Sequence, residues 1–388
     1  AGIASAIDAL LADPQRAHGV AGAIANPVTL DRLDAARKIG RLVRDSSTLA
    51  QGRGATPLLI AADVADPSTQ AEYFGPVTFL IAVADADDGI ARAAALATTK
   101  GAITAALYDV DEARIGRAVT AFVRAGVNLS MSTVVPPAFA WGKGGEIFLT
   151  LVRERTNGRI NIKQYPGASL VQGQQDREFT AMRQGIIDVL CGAPINWSGT
   201  VPQLGVFTLP FILPDHKAYD AVIKSPAVMN DYFDLVRKAG AEPISVGETG
   251  YRQISNSKRP LIKPDDLRGL KVRVVGSPMY GEIMTGMGAN PTFMSWADAQ
   301  PALASGAVDA QENPLEVFLA AKINTLGQKY VTKWNYSNDI LLFAIAQPVW
   351  QSWTPADQKI VREAAIEAGK QEIAIARKGL VEADKPLL

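Results

Sequence analysis

The segment from Gly269 to Pro314 constrains this chain more than any other, because it reads as strand, helix, strand with polar residues delivered at the strand ends. In Lys271-Val272-Arg273-Val274-Val275 the side chains alternate, so Val272 and Val274 face one side and Arg273 the other. An arginine is thereby fixed on a stiff, half-buried element. Ser295 is placed to cap the helix that follows, with Asp298 completing a capping box, and Gly306 to end it. The extended run Ala307-Val308-Asp309-Ala310 then delivers Gln311, Glu312 and Asn313 ahead of Pro314, which holds Asn313 extended. Polar groups at the ends of such strands are how an open α/β sheet builds a ligand crevice.

Composition narrows what that crevice can hold. Lysine plus arginine equals aspartate plus glutamate at 39 each, without the basic excess that nucleic-acid phosphates demand. Hydrophobic residues make up 48% of the chain, but no unbroken apolar run approaches the roughly 20 residues of a membrane helix, so a soluble, non-spanning protein is expected. A single cysteine, Cys191, excludes an internal disulfide and a thiolate zinc cage. Two histidines, His18 and His216, leave little for a metal site or for nucleophilic catalysis, and no cofactor is expected. At 388 residues the chain is long enough for two or three domains. Its start, Ala1-Gly-Ile-Ala-Ser, has no basic or long apolar region, so no secretory signal is read there; such a signal is either removed or was never present.

Downstream of Val127 the pattern is consistent with two α/β lobes. Val127 to Ser132 alternates as a strand leading into a loop through Trp141-Gly142-Lys143-Gly144. A helix carries Ile147, Phe148, Leu151 and Val152 and stops at Asn157-Gly158, and Ile160 to Tyr165 reads as a strand. Arg177 to Met182 reads as helix and Ile186 to Cys191 as a buried strand. The chain is expected to cross into a second lobe between Gly247 and Arg252 and to return near Tyr336 to Phe343. Pro355 then opens an amphipathic helix with Ile360, Ala364, Ala365 and Ala368 inward.

Several of these runs together resemble one family. Gly-Leu-Lys-Val-Arg-Val at 269–274, Gly-Ala-Asn-Pro at 288–291, Gln-Glu-Asn-Pro at 311–314, Tyr251-Arg252-Gln253, Asn256 to Pro260 and the Val-Phe-x-Leu-Pro-Phe run at 206–211 are similar to the DctP-type solute-binding proteins of TRAP transporters, over about 127–376. The resemblance implies an α/β fold of two-lobed, periplasmic-binding-protein-like architecture with an extra N-terminal α/β segment. It implies lobe I at 127–249 and 337–388, lobe II at 250–336, a periplasmic location, a small organic acid as ligand and membrane permease subunits as partners, with no catalysis.

Residues 1–125 carry a second resemblance. They begin alanine-rich and helical in pattern, with Ile7, Leu10, Leu11, Leu33, Ile39 and Leu42 as apolar positions; strands are expected at Leu58-Leu59-Ile60, Val77 to Val83 and Gly101 to Tyr108. Glu72-Tyr73-Phe74-Gly75-Pro76 resembles the Glu-x-Phe-Gly-Pro segment of aldehyde dehydrogenases of the phenylacetate-degradation branch, where the Glu and Phe contact the nicotinamide cofactor. The dinucleotide-binding half and the catalytic cysteine of that family are missing, so Glu72 and Phe74 are expected to serve local packing. The competing readings are an NAD-dependent aldehyde dehydrogenase relative and a binding protein with a fused oligomerisation module.

The resemblance also assigns the candidate site. A guanidinium presents a planar fork of donors that matches a carboxylate, so Arg273 is expected to clamp the ligand acid with Asn313 assisting. Arg252 has two readings, a further ligand arginine or a structural pair with an acid such as Glu248. Trp296 is expected against the ligand's carbon frame, in a helix whose Pro301 is expected to kink it. Trp197 and Asn196 are expected to line the lobe I side or to pack in a loop. Ala193 stands where sialic-acid-binding members carry a glutamate, which argues against such a ligand. Cys191 reads as an inert buried thiol, and Asp85, Asp87 and Asp88 as a solvated acidic loop that lacks the later ligands of a calcium site.

Overall fold

A computed structural model of the chain describes residues 2–13, 22–23, 28–48, 54–70, 76–100, 111–124 and 128–384. The chain forms two compact units, Ala1–Ala102 and Ile103–Leu388. The sequence boundary at 125 differs from this division, because the helix Glu112–Arg124 packs against the helix Gln347–Gln351 of the larger unit.

In the smaller unit, helices Gly2–Leu11 and Val28–Ala36 precede strands Arg41–Arg44, Leu58–Ala62 and Val77–Ile81, followed by the helix Ala86–Lys100. Leu58, Leu59 and Ile60 are fully buried, and the strand they form pairs in parallel with Val77–Ile81. Leu42, expected in a helix, lies instead on a strand that pairs antiparallel with Leu58–Ala62, held there by Arg44, whose Nη1 donates to the Pro57 carbonyl at 2.6 Å. Asp88 accepts from the Ala84 N–H and from Arg92 Nε, and no group of metal-ligating side chains is found among the described residues. Glu72, Phe74, His18, Val127 and the expected strand at 101–108 lie outside the described residues.

The larger unit holds two five-stranded sheets. In the first, β1 (Leu129–Ser132), β2 (Ile162–Tyr165) and β3 (Val189–Gly192) are parallel, while β4 (Ala241–Glu248) and β10 (Ile340–Ala346) complete the order β2-β1-β3-β10-β4, with β10 antiparallel to both neighbours. In the second, β5 (Arg252–Asn256), β6 (Lys271–Val274), β7 (Asn290–Phe293), β8 (Ala310–Pro314) and β9 (Tyr330–Thr332) take the order β7-β6-β8-β5-β9. The chain thus leaves the first sheet after β4 and returns to it at β10. Hydrophobic cores lie against both sheets, with Met131, Val189, Leu342 and Phe343 fully buried in the first lobe and Val272, Val274, Tyr280 and Ala310 in the second.

Helix α1 (Ala140–Arg155) buries Phe148 and Val152 against the first sheet. Trp141 to Gly144, read from sequence as loop, form its first turns. The glycines there mark close packing rather than a break, since a Cβ at Gly144 would stand 2.5 Å from a side-chain carbon of the C-terminal helix. After helix α2 (Glu178–Arg183), Gly185 turns at φ +74°, so Ile186 stays exposed and the buried strand starts only at Val189. Helices α3 (His216–Ile223) and α4 (Pro226–Ala239) follow in the first lobe.

In the second lobe, helix α5 (Pro278–Gly286) connects β6 to β7, and α6 (Trp296–Ser305) connects β7 to β8. Ser295 Oγ accepts from the Asp298 N–H at 3.2 Å, but the Asp298 carboxylate takes the Ser295 hydroxyl rather than a backbone N–H. The helix runs unbroken through Pro301 and ends at Gly306, φ +73°. Ala307 to Asp309 turn, and the strand begins at Ala310. Helix α7 (Leu315–Ala320) follows β8 directly.

The 30-residue helix α8 (Pro355–Asp384) crosses both lobes, packing on α1 and β4 and then on α7. At about 1.5 Å per residue it is about 45 Å long. Val361, Ala364, Ala365 and Ala368 are fully buried on its inner face, whereas Ile360 is half-buried. No helix among the described residues is long and apolar enough to cross a membrane.

Candidate functional site

Strands β6 and β8 are parallel, and their register sets Arg273 beside Gln311, so Asn313, two residues further on, lies on the Arg273 face near the same carboxyl edge. A cavity opens there between the lobes. Arg273, Asn313 and Trp296 line it from the second lobe, and Gln175, Asn196 and Trp141 from the first. Phe139, Val135 and Val275 add apolar wall. The cavity volume is about 50 Å³, several times the roughly 10–15 Å³ a single water needs, so it suits a compact ligand. Three hydrogen bonds bridge the lobes around it. Gln175 Oε1 accepts from the Trp296 N–H at 2.8 Å, Ser198 and Ser277 hydroxyls meet at 3.0 Å, and Glu316 accepts from the Ala140 N–H at 2.9 Å.

Arg273 is the electrostatic centre. It is 1% exposed, its Nη2 donates to the Met294 carbonyl at 3.0 Å, and its guanidinium carbon lies 5.6 Å from the centre of the Trp296 ring. Its Nε has no partner, and no carboxylate forms an ion pair with it among the described residues. Burial pushes its pKa down to about 10, with Arg252 adding like-charge repulsion and Glu312 and Asp298 opposing the shift. It remains charged at neutral pH. A buried cation without a counter-charge costs several kcal/mol, so this position favours an anion in the cavity.

Arg252 behaves differently. Its side chain pairs with Glu312, with Nη2 donating to Glu312 Oε1 at 2.8 Å and to Asn313 Oδ1 at 3.1 Å. Glu312 also accepts from the Tyr336 hydroxyl at 2.7 Å. Burial works against the Arg252 charge, but Glu312 outweighs it and holds the guanidinium well above its ordinary value. The expected partner Glu248 is engaged elsewhere, by Arg377 Nε at 2.7 Å and Asn338 at 3.0 Å. The reason is register: Ile254 stands opposite Glu312 across β5 and β8, which puts Arg252 on the diagonal to Glu312 and on the same face. Arg252 therefore lines the cavity as half of a neutral pair.

Asn313 donates one N–H to Gln311 Oε1 at 2.7 Å while its oxygen accepts from Arg252, which fixes the amide and leaves a second N–H for a ligand. Trp296 is buried in the cavity wall at the start of α6. Trp197 does not line the cavity. The short 3₁₀ turn Pro194–Trp197 sends it into the first lobe's core, 5.5 Å from the Phe179 ring, and turns its neighbour Asn196 to the cavity instead. Asn196 Nδ2 has no partner. Cys191 is fully buried, and burial pushes its thiol well above the ordinary range.

Sequence reasoning missed Gln175 and three carboxyl groups that line the same cavity: Glu248, Glu316 and Glu372. For Glu372 a signal existed. Ala364, Ala368 and Glu372 follow at four-residue spacing, so a carboxyl occupies the inward stripe of an otherwise small and apolar helix face.

The family described as "DctP: Bacterial extracellular solute-binding protein, family 7" matches residues 131–385. Among curated relatives, the 2,3-diketo-L-gulonate-binding periplasmic protein YiaO of Escherichia coli is 30% identical over 229 residues, covering 58% of this chain and 67% of that one. Among solved structures, a TRAP periplasmic solute-binding protein of Ralstonia eutropha with bound (S)-2-acetolactate is 57% identical, with a TM-score of 0.65 over 67% of this chain and 84% of that one. A TRAP periplasmic solute-binding protein of Sulfurospirillum deleyianum with bound succinate is 26% identical, with a TM-score of 0.61 over 66% and 83%.

Proposed function

The chain belongs to the DctP family of bacterial extracellular solute-binding proteins, and on that premise we propose that its interlobe cavity captures a small organic acid by its carboxylate, with Arg273 as the clamp. Its relatives are periplasmic binding proteins of TRAP transporters, and the chain stands with them and not with enzymes. The reading of the site rests on Arg273, a buried guanidinium on the cavity wall with no carboxylate partner of its own. In a water-poor cleft its fork of donors pairs with a carboxylate more strongly than in water. Asn313 contributes its remaining N–H, Asn196, whose oxygen accepts from Gln175, supplies its unpartnered Nδ2 from the opposite lobe, and Trp296 packs on the ligand's carbon frame. Arg252, neutralised by Glu312, orients Asn313 and adds little net charge.

The Ralstonia relative suggests the size class, a short branched acid such as the acetolactate bound there. Ligand favours the closed arrangement of the lobes and shifts that population, and a membrane permease in the periplasm receives the loaded form. The smaller unit, residues 1–102, is a non-catalytic appendage on this reading, and the family match begins only at residue 131. The test is a thermal-shift panel of small organic acids against the whole chain. A binder raises the melting temperature in proportion to the logarithm of its concentration. A panel without any binder, or saturable stabilisation by NAD with aldehyde turnover, counts against the reading.

A further inference from the structure

We propose that Glu372 is a ligand-binding residue that sets the choice among acids, donating a hydrogen bond to an uncharged oxygen of the ligand and disfavouring a second carboxylate. This deepens the reading above and rests on it. Glu372 comes from α8, which supplies neither the clamp nor the aromatic wall, and its side chain is fully buried on the cavity lining. One carboxyl oxygen, Oε2, accepts from the Glu248 N–H at 2.8 Å, while the other, Oε1, has no partner. The chain makes room for this carboxyl. A Cβ at Gly144 would stand 2.5 Å from Glu372 Cγ, and one at Gly247 would come closer still to Oε2.

A buried polar atom without a partner costs about 1–3 kcal/mol, so Oε1 gains from any group that meets it in the cavity. Burial, with Glu248 and Glu316 as like-charged neighbours, drives the Glu372 carboxyl well above its ordinary value, against the opposing pull of Arg377. A neutral carboxyl can donate where an ionised one only accepts. Glu316, on the same cavity wall, is likewise raised by burial. These carboxyls therefore offer a proton to a keto or hydroxyl oxygen, and Arg377, the cation that acts on Glu372, is spent on Glu248 and Asp220 rather than free for a second carboxylate.

Calorimetric titration of the whole chain with 2-oxoisovalerate, isovalerate and succinate tests this, since the first two differ only in the keto oxygen. The wild type is expected to favour the oxo acid over isovalerate by at least about tenfold and over succinate by more. Glu372→Leu is expected to collapse the oxo-to-deoxo ratio toward unity. Glu372→Gln, which keeps a donor, is expected to hold that ratio within about threefold. Glu372→Met replaces the leucine variant if that one fails to fold. Equal wild-type affinity for the two, or a ratio unchanged in Glu372→Leu or Glu372→Met, overturns the assignment. Arg273→Ala, measured alongside, separates the two readings. If it abolishes binding while the ratio ignores Glu372, the clamp stands and this inference falls; if no acid binds the wild type, both fall.

Discussion

At the scale of single residues, buried charge is managed by pairing or by neutralisation, and Arg273 is conspicuous for having no carboxylate partner among the described residues. Arg252 takes Glu312 as its partner, and Glu248 takes Arg377. Glu178, fully buried beside the Ser132 hydroxyl, instead has its pKa raised by burial from 4.5 to about 7. In the unfolded chain this group releases its proton near 4.5, whereas the native state keeps it to about 7. Between those values the unfolded state binds fewer protons, so the group's contribution to stability falls as pH rises from about 4.5 to 7 and is level above. Glu178→Gln is expected to remove that slope and to stabilise the protein at pH 8 by up to about 3 kcal/mol, read from urea unfolding at pH 5 and 8. A variant no more stable than wild type at pH 8 would contradict the assignment. Sequence made Arg273 legible because strand alternation and a family run coincide on it. The Arg252–Glu312 pair was hidden, since it depends on the offset between two strands 60 positions apart, and no local pattern encodes a register.

At the scale of elements, the outer strands β6 and β8 and the helix α6 between Lys271 and Pro314 followed from alternation, a capping serine and a stop glycine, whereas helix α5 and strand β7, which make the run strand-helix-strand-helix-strand, were not read from the sequence. What local pattern could not supply was tertiary packing. The glycines after Trp141 read as loop, yet Gly144 is where α1 and α8 come close, and Gly142 lets α1 lie against the Val135–Pro136 backbone. The same packing hid Glu372, because a charged residue on a helix reads as solvent-facing until its neighbours are known. Alanines on the inner face of α8 let that helix lie close to β4 and α1. Ala368→Leu, at a fully buried position, is expected to overpack this seam and cost about 1–3 kcal/mol, seen as a lower denaturant midpoint with an unchanged slope. A substitution without effect would mean the seam is looser than the packing implies.

At the scale of the whole molecule, the two lobes are joined by the β4–β5 crossing, the return into β10 and the long helix α8. They meet across the cavity through Gln175 and Trp296, Ser198 and Ser277, and Glu316 and Ala140. Away from the cavity the Phe211 N–H to Tyr336 carbonyl bond and the Lys333–Asp384 pair also join the lobes, while opening and re-forming of the cavity contacts is how a binding protein converts occupancy into a shape that a membrane partner can read. The two-lobe plan was visible in the order of strands, but the extent of the N-terminal unit was not, because the helix Glu112–Arg124 precedes the family match at residue 131 and yet packs on the larger unit. On the proposed reading, capture rests on one buried guanidinium, Arg273, taking the ligand's carboxylate as its counter-charge. Isothermal titration of the tightest-binding organic acid into the whole chain and into its Arg273→Ala variant tests it most directly. A loss of affinity of about a hundredfold or more is expected in a variant that still unfolds cooperatively. Full affinity retained by Arg273→Ala would contradict it.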